Sequence, residues 1–232
     1  MTSEPARVSV VVPVYRNART LRELHRRLGL ALGTRLDELV LVDDACPDGS
    51  RAVIGDLASE DPRVRPVSLH RNLGQHAAVL AGLRKATGAW VVVMDADLQD
   101  PPEAVPLLLE RGEQDDIAAV FGGRRGSYQS RSRLVTSRLY KRVQSFLAGV
   151  PVDAGTFVAL SRPMVDRLTA MGGPAPSLVA MIGCTGLPLA SVPIVRASRT
   201  DGPSAYSHAT RVASAWRAVR WILWWRVRGV LR

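Results

Sequence analysis

Long apolar runs are missing from the sequence: no stretch reaches the 18 or so residues of a membrane-spanning helix, so none is expected. Cysteine is scarce, and Cys46 and Cys184 stand apart without the spacing of a metal site. Two free thiols in a cytosolic protein are the expectation. The first seven residues contain no apolar segment, which argues against a signal peptide. The four histidines form no pair at helical metal-binding spacing.

Lysine is nearly absent, and acidic residues become rare in the second half of the chain. The 232 residues carry a net charge of +10, but only Asp153, Asp166 and Asp201 are acidic after position 116, against 17 basic residues. A general preference for arginine explains the shortage of lysine, although it does not explain the loss of acids. We expect a second half that faces anions, which could be a phosphate ligand, an anionic membrane or nucleic acid.

Apolar runs and helical patterns alternate over the first ~120 residues. The expected strands are Val8–Val12, Leu39–Val42, Val64–Leu69, Trp90–Met94 and Ile117–Phe121. The expected helices cover residues 21–32, with Thr20 as a possible cap, 50–59 and 75–86, and a short one opens at Pro101. This alternation predicts an α/β fold with a mostly parallel central sheet and helices on both faces.

Polar residues follow three of the expected strands, and ligands bind beyond the carboxyl ends of strands in such sheets. These residues are Tyr15 and Asn17, Asp43 and Asp44, and Asp95 and Asp97. Carboxylates two positions apart repel each other unless a divalent cation neutralises them, and Mg²⁺ binds one or two carboxylates together with phosphate oxygens. The pair at 95 and 97 is therefore a candidate site for a metal that bridges a diphosphate, and a solvated acidic turn is the alternative.

Four ordered segments resemble family-2 glycosyltransferases of the GT-A type: residues 10–15, 42–50, 71–76 and 94–102. Among these enzymes, the sequence resembles dolichyl-phosphate mannose synthases and bacterial undecaprenyl-phosphate sugar transferases. The resemblance extends from about Val8 to Tyr206. It implies a GT-A fold, which is Rossmann-like, and a nucleotide-diphospho-sugar donor.

The resemblance also implies roles for residues on the donor side. Residues expected to hold the base and ribose are Pro13, Tyr15, Val42 and Asp44. The DxD segment comprises Asp95, Ala96 and Asp97; the metal, Mg²⁺ or Mn²⁺, would be bound by Asp95, Asp97 and Gln99. Asp97 is the principal ligand in this assignment and is counted with the catalytic residues.

Basic and acceptor-side residues follow from the same resemblance. Arg124 matches a residue that meets donor phosphate, and Arg199 begins a closing stretch of the pattern R-x-x-G-x-S-K-Y. Asp153 begins the acceptor-side motif 153–157 and is the second catalytic candidate. Family members usually have an acid after the tyrosine and asparagine, whereas the run here is Tyr15-Arg16-Asn17-Ala18, so the sequence departs from the family pattern at Asn17. It also departs at Thr156, Val158 and Ala205, which replace an acid, an arginine and a lysine.

The basic second half contains two notable segments. Seven basic residues and no acid lie between 124 and 142, a composition suited to the phosphate of a polyprenyl phosphate. Nucleic acid fits the charge, but no nucleic-acid-binding motif or row of stacking aromatics accompanies it. A helix over 207–232 would interleave Trp221 and Trp225 with arginines, as membrane interfaces favour. A terminal helix packed on the core or in an oligomer contact is the alternative.

Together these features predict an inverting, metal-dependent transfer of a sugar to a polyprenyl phosphate. One alternative is a glycosyltransferase with a glycan, glycolipid or small metabolite as acceptor, and another is a non-catalytic protein that binds nucleotide sugars or recruits a membrane partner. The expected organisation is a catalytic domain over 1–206, with a donor half (1–121) and an acceptor half (122–206), followed by the helix. We expect a cytoplasmic protein, peripheral on the inner face of the plasma membrane, bound to anionic lipid or to a membrane partner protein.

Overall fold

The computed structural model describes residues 6–114, 116–125, 149–171 and 177–196, with the backbone alone at 124 and 125. The strands are β1 (Val8–Val14), β2 (Leu36–Asp43), β3 (Val64–Ser68), β4 (Trp90–Val93), β5 (Ala119–Arg125), β6 (Val158–Ser161) and β7 (Leu189–Val195). The helices are α1 (Leu21–Leu32), α2 (Ser50–Glu60), α3 (Gln75–Leu83), α4 (Val105–Gln114), α5 (Arg162–Ala170) and α6 (Leu178–Cys184). Single 3-10 turns at Gly33–Arg35 and Pro102–Ala104 precede β2 and α4.

The strands form one sheet in the order β3-β2-β1-β4-β6-β5-β7. All neighbours are parallel except at β6, which runs antiparallel to both β4 and β5. The expected mostly parallel sheet is confirmed, and the reversed strand is an addition that the sequence patterns did not indicate.

Helices cover both faces of the sheet, as predicted, because its central strands are apolar on both sides. On β1, Val10 and Val12 pack into one buried cluster with side chains of α1, α2 and α4. Val11 points the other way, into a cluster formed with α3, α5 and α6. The alternation of side chains along the strand thus divides the core into two layers.

Pro13 does not end the first strand, contrary to the expectation of a strand over Val8–Val12. Pro13 lies within β1, opposite Val42 of β2. The neighbour on the other side, β4, pairs only as far as Val11 opposite Val93. Val11 accepts its hydrogen bond from the β4 side, so the missing N–H of Pro13, two residues later, faces beyond the end of β4. The ladder therefore loses no hydrogen bond there.

Within the described ranges, no helix combines the length and hydropathy needed to cross a membrane. The expected helix over 207–232 and the basic segment between 124 and 142 fall largely outside these ranges. The division of the chain into donor half, acceptor half and terminal helix therefore stays a prediction.

Candidate active site

The carboxyl ends of β1, β2 and β4 lie side by side at one edge of the sheet. We call this edge the rim; it comprises residues 15–17, 44–46 and 94–97. Asp44 N donates to Val14 O at 3.0 Å, and Met94 N donates to Val11 O at 3.2 Å. The backbone ladder thus continues past the ends of the strands, and the polar residues that follow them emerge together.

Asp44 is almost wholly buried and accepts two backbone hydrogen bonds from the loop before α3. Leu73 N and Gly74 N donate to its two carboxylate oxygens at 2.7 and 2.9 Å. Gly74 has φ of +87°, a conformation that favours glycine, and it stands directly before the first residue of α3. The end of β2 is therefore fixed to the start of α3.

Asp95, the first carboxylate of the DxD segment, is held from two sides. Gln75 Nε2 donates to Asp95 Oδ1 at 2.5 Å, and Thr156 Oγ1 donates to Asp95 Oδ2 at 3.3 Å. Gln75 follows Gly74, so one three-residue segment contacts both Asp44 and Asp95. The hydroxyl of Thr156 thus gives Asp95 a neutral partner at a position where the family resemblance implied an acid.

The rest of the DxD segment forms a tight turn. Gln99 N donates to Asp97 Oδ1 at 3.2 Å, and Leu98 between them has φ of +58°. Ala96 is buried in the core, and its carbonyl oxygen accepts the hydroxyl of Thr20 at 2.6 Å. Thr20 stands at the N-cap position of α1 as expected. Its hydroxyl donates to the carbonyl oxygens of Asn17 and Ala96, however, and makes no capping hydrogen bond to the helix.

The donor set fits a hard divalent cation that shares its coordination shell with a ligand. Asp95, Asp97 and Gln99 offer carboxylate and amide oxygens, which Mg²⁺ and Mn²⁺ accept. No group of three or more His, Cys, Asp or Glu side chains suited to a metal occurs in the part of the chain that the structure describes. The individual ligands stay predictions.

The four residues predicted to hold the nucleoside are all close to the rim. Pro13 and Val42 are register partners and are buried, and Asp44 follows one residue after the end of β2. Tyr15 is 39% exposed, and the guanidinium of Arg16 lies 5.4 Å from the centre of its ring. Arg16 has φ of +60°, so the departure from the family pattern lies next to a left-handed turn at the rim.

Asp153 is held by β5 and β7. Ser191 Oγ, on β7, donates to Asp153 Oδ2 at 2.9 Å. Gly123, on β5, lies so close that a Cβ atom there would overlap the same carboxylate oxygen. Because Thr156 contacts Asp95 only three residues further along, the motif 153–157 reaches from β7 to the rim. The antiparallel direction of β6 explains this, since its amino end meets the carboxyl ends of β4 and β5.

The structure adds an ion pair close to the DxD segment that the sequence did not indicate. Arg196, after β7, donates from Nε and Nη2 to the two carboxylate oxygens of Asp100. Both side chains are largely buried, with exposures of 16% and 2%. Burial opposes the charge of Arg196, but hydrogen bonding and attraction by Asp100, with attraction by Asp95 and Asp97, outweigh it and raise the pKa of Arg196. No motif connects the two residues, because 96 positions separate them.

Two predicted phosphate-binding residues lie at or beyond the boundary of the described residues. The backbone of Arg124 belongs to β5, opposite Ile194 of β7. Arg199 and Ala205 fall outside the described residues. Val158, where the family resemblance implied an arginine, is a buried residue of β6 that pairs with Val93.

Comparison with known sequences gives consistent matches. Residues 9–169 match the family described as "Glycosyl transferase family 2". The chain is 33% identical, over 87% of its length, to the undecaprenyl-phosphate 4-deoxy-4-formamido-L-arabinose transferase of Klebsiella pneumoniae (strain 342), of which it covers 63%. It is 36% identical to the protein of the same name from Pseudomonas paraeruginosa, over 86% of this chain and 60% of that one. The chain thus spans about three fifths of the length of these curated relatives.

Solved structures share the fold. A mannosyltransferase from Pyrobaculum calidifontis, in complex with GDP-Man and Mn²⁺, superposes with a TM-score of 0.65 at 23% identity, over 90% of this chain and 61% of that one. Glucosyl-3-phosphoglycerate synthase from Mycobacterium tuberculosis, with Mn²⁺, UDP-Glc and phosphoglyceric acid, gives a TM-score of 0.71 at 20% identity, over 95% and 80%. At these identities the likeness establishes the GT-A architecture alone.

Proposed function

The chain belongs to glycosyl transferase family 2, and on that premise we propose a specific reaction for it. The proposed reaction transfers a sugar from a nucleotide-diphospho-sugar to a polyprenyl phosphate, with inversion at the anomeric carbon. The observation that carries this proposal is the meeting of Asp44 and Asp95 through the segment 73–75. A nucleoside pocket and a diphosphate site would then adjoin at one rim.

The donor would lie across the rim with its base and ribose near Pro13, Tyr15, Val42 and Asp44. Its diphosphate would lie beside the DxD segment, where Asp95, Asp97 and Gln99 would hold the cation. When bound, a divalent cation supplies charge neutralisation to the departing nucleoside diphosphate. The neighbours solved with Mn²⁺ support a divalent cation, and we propose Mn²⁺ or Mg²⁺ equally.

In the proposed step, an oxygen of the acceptor phosphate attacks the anomeric carbon from the face opposite the diphosphate. A carbon–oxygen bond to the acceptor forms as the bond to the nucleoside diphosphate breaks. A phosphate oxygen is already anionic near neutral pH, so it needs little help from a base. Asp153 would then orient the acceptor, and Arg124 and Arg199 would neutralise phosphate charge.

The choice of a polyprenyl phosphate rests on the sequence relatives, several of which are named as undecaprenyl-phosphate transferases. Such an acceptor is itself a lipid whose polyprenyl chain lies in the membrane, so the catalytic domain would have to work at a membrane surface. We propose that the protein is peripheral on the inner face of the plasma membrane, where the basic second half and the helix over 207–232 would meet anionic lipid or a membrane partner protein.

The test is a transfer assay on the full chain with UDP- and GDP-sugars, undecaprenyl phosphate, and either Mn²⁺, Mg²⁺ or a chelator. We expect labelled sugar in the lipid fraction only when both metal and lipid phosphate are present, and an inverted anomeric configuration by NMR. Undecaprenol, which lacks the phosphate, is the matched control. Transfer to undecaprenol or to a glycan instead would assign a different acceptor. Absence of both transfer and donor hydrolysis would support a non-catalytic protein.

A further inference from the structure

The ion pair between Arg196 and Asp100 is unusual among the ion pairs of the described residues. Most of the others lie on the surface, with one or both side chains well exposed. Here the arginine makes two parallel hydrogen bonds to one carboxylate, and both partners are largely buried. The pair also joins the end of β7 to the segment that directly follows the DxD motif.

Proximity to the DxD carboxylates follows from the chain itself. Asp100 is three residues after Asp97, so their Cα atoms are at most about 11 Å apart. The turn in which Gln99 N bonds Asp97 Oδ1 shortens that distance further. The positive charge of Arg196 therefore lies near the site proposed for a cation and a diphosphate, and Asp95 and Asp97 both attract it.

Stability alone is a weak reason for a buried ion pair. Desolvation of the two charges offsets most of their attraction, and apolar side chains of similar volume often stabilise a protein at least as well. A charge beside the DxD segment does have a consequence for ligands. Arg196 would attract an anion and repel a cation, whereas Asp100 would do the reverse.

We propose that Arg196 and Asp100 form a balanced charge pair beside the DxD segment: Arg196 favours the donor diphosphate and limits the affinity of the metal site before the donor binds, and Asp100 offsets both effects. This inference rests on the proposed function, because it assumes that cation and diphosphate bind at the DxD segment. The pair acts through its field on the ligands, and the two residues should therefore have opposite effects on opposite charges.

The test measures two affinities separately: Mn²⁺ alone, by electron paramagnetic resonance, and UDP or GDP in the presence of a chelator, by calorimetry. For Arg196→Gln we expect Mn²⁺ to bind ~3–10-fold more tightly and the nucleotide ~3–10-fold more weakly, as expected for one charge at this separation in a partly screened site. For Asp100→Asn both changes reverse. The double variant restores the net charge and should behave like the unmodified chain.

Two further variants separate charge from structure. Arg196→Lys keeps the charge but loses the paired geometry, and both affinities should stay within about twofold of the original, since the field is retained. Arg63→Gln removes the same charge from another two-point pair, with Asp61, at the opposite edge of the sheet, and should change neither affinity.

Loss of both affinities in Arg196→Gln, Arg196→Lys and Asp100→Asn alike would overturn the proposal and assign the pair a purely structural role. Unchanged affinities in folded Arg196→Gln would also overturn it. If the unmodified chain binds neither Mn²⁺ nor any nucleoside diphosphate, the proposed function fails together with this inference.

Discussion

Gln75 donates a hydrogen bond to Asp95 at 2.5 Å, and the two residues before Gln75 donate backbone hydrogen bonds to Asp44. The start of α3 is thus a common support for two carboxylates that follow different strands. A change at this support should alter the orientation of Asp95 without opening a cavity, because Gln75 is only partly buried.

Gln75→Ala should lower metal-dependent turnover by about tenfold, since hydrogen bonds to charged groups contribute ~1.5–3 kcal/mol. The measurement is kcat as a function of Mn²⁺ concentration. Gln114→Ala is the matched control, because Gln114 makes an exposed hydrogen bond to Glu110 on α4. An equal loss of turnover in Gln75→Ala and Gln114→Ala would show that the orientation of Asp95 does not depend on its hydrogen bond from Gln75.

Asp97→Ala should reduce transfer by about 100-fold or more, because the variant would lose the principal proposed ligand of the cation that neutralises the diphosphate. The melting temperature should change by no more than about 2 °C, since a partly exposed aspartate is removed and no core cavity opens. Asp56→Ala, at an exposed position of α2, controls for the loss of a carboxylate. Near-normal turnover of Asp97→Ala at saturating donor would show that the metal assignment is wrong.

Gly123→Ala should displace Asp153, because the added methyl group would overlap its carboxylate and crowd Ser191 Oγ. Overpacking of this kind costs about 1–3 kcal/mol of unfolding free energy. We also expect kcat for transfer to fall while the affinity for the nucleotide sugar is kept. Gly55→Ala on α2 meets no heavy atom within 4 Å and should stabilise the protein slightly. Unchanged kcat in Gly123→Ala would remove Asp153 from the proposed acceptor site.

Cys46 should be a slow nucleophile at neutral pH. Burial, with hydrogen bonding to Asp43, raises the pKa of the Cys46 thiol to about 11. The thiol also donates to Val14 O at 3.2 Å. Alkylation by iodoacetamide in a Cys184→Ser background should therefore be slow at pH 7 and accelerate up to about pH 11, where the thiolate becomes the major form. A rate that levels off near pH 9 would contradict this environment.

Deletion of residues 209–232 should release the protein from anionic vesicles without loss of nucleotide binding. The reason is electrostatic: each basic residue near an anionic surface contributes about 1 kcal/mol, and salt weakens the attraction. Co-sedimentation of the full-length and truncated proteins with neutral and anionic vesicles, at low and high salt, measures this membrane binding. Equal binding of both forms would contradict a membrane role, and aggregation of the truncated form would indicate a helix packed on the core or in an oligomer.

The donor side of the fold was predictable because its signals are local in the sequence. The apolar run Trp90–Met94 predicted a strand, which the structure confirms as β4 (Trp90–Val93), and the acids that follow it had to emerge at its carboxyl end. Contacts between distant segments were not predictable in this way. Asp100 appeared in the sequence as part of a motif, but its partner Arg196 is an arginine among many in the second half. The contact of Thr156 with Asp95 depends on the reversal of β6, which hydrophobic patterns do not encode.

The reversed strand has a consequence for how acceptor preference can diversify. Residues 153–157 lead into β6 at the rim, whereas the residues proposed to hold the nucleoside lie at the ends of β1 and β2 or directly after them. Substitutions in this segment can therefore reshape the proposed acceptor side while the register between Pro13 and Val42 stays intact. Exchange of the segment between homologues would thus vary the proposed acceptor side while the donor side is kept, and a segment with an acid at position 156 would replace the hydroxyl that Thr156 donates to Asp95 by a second carboxylate.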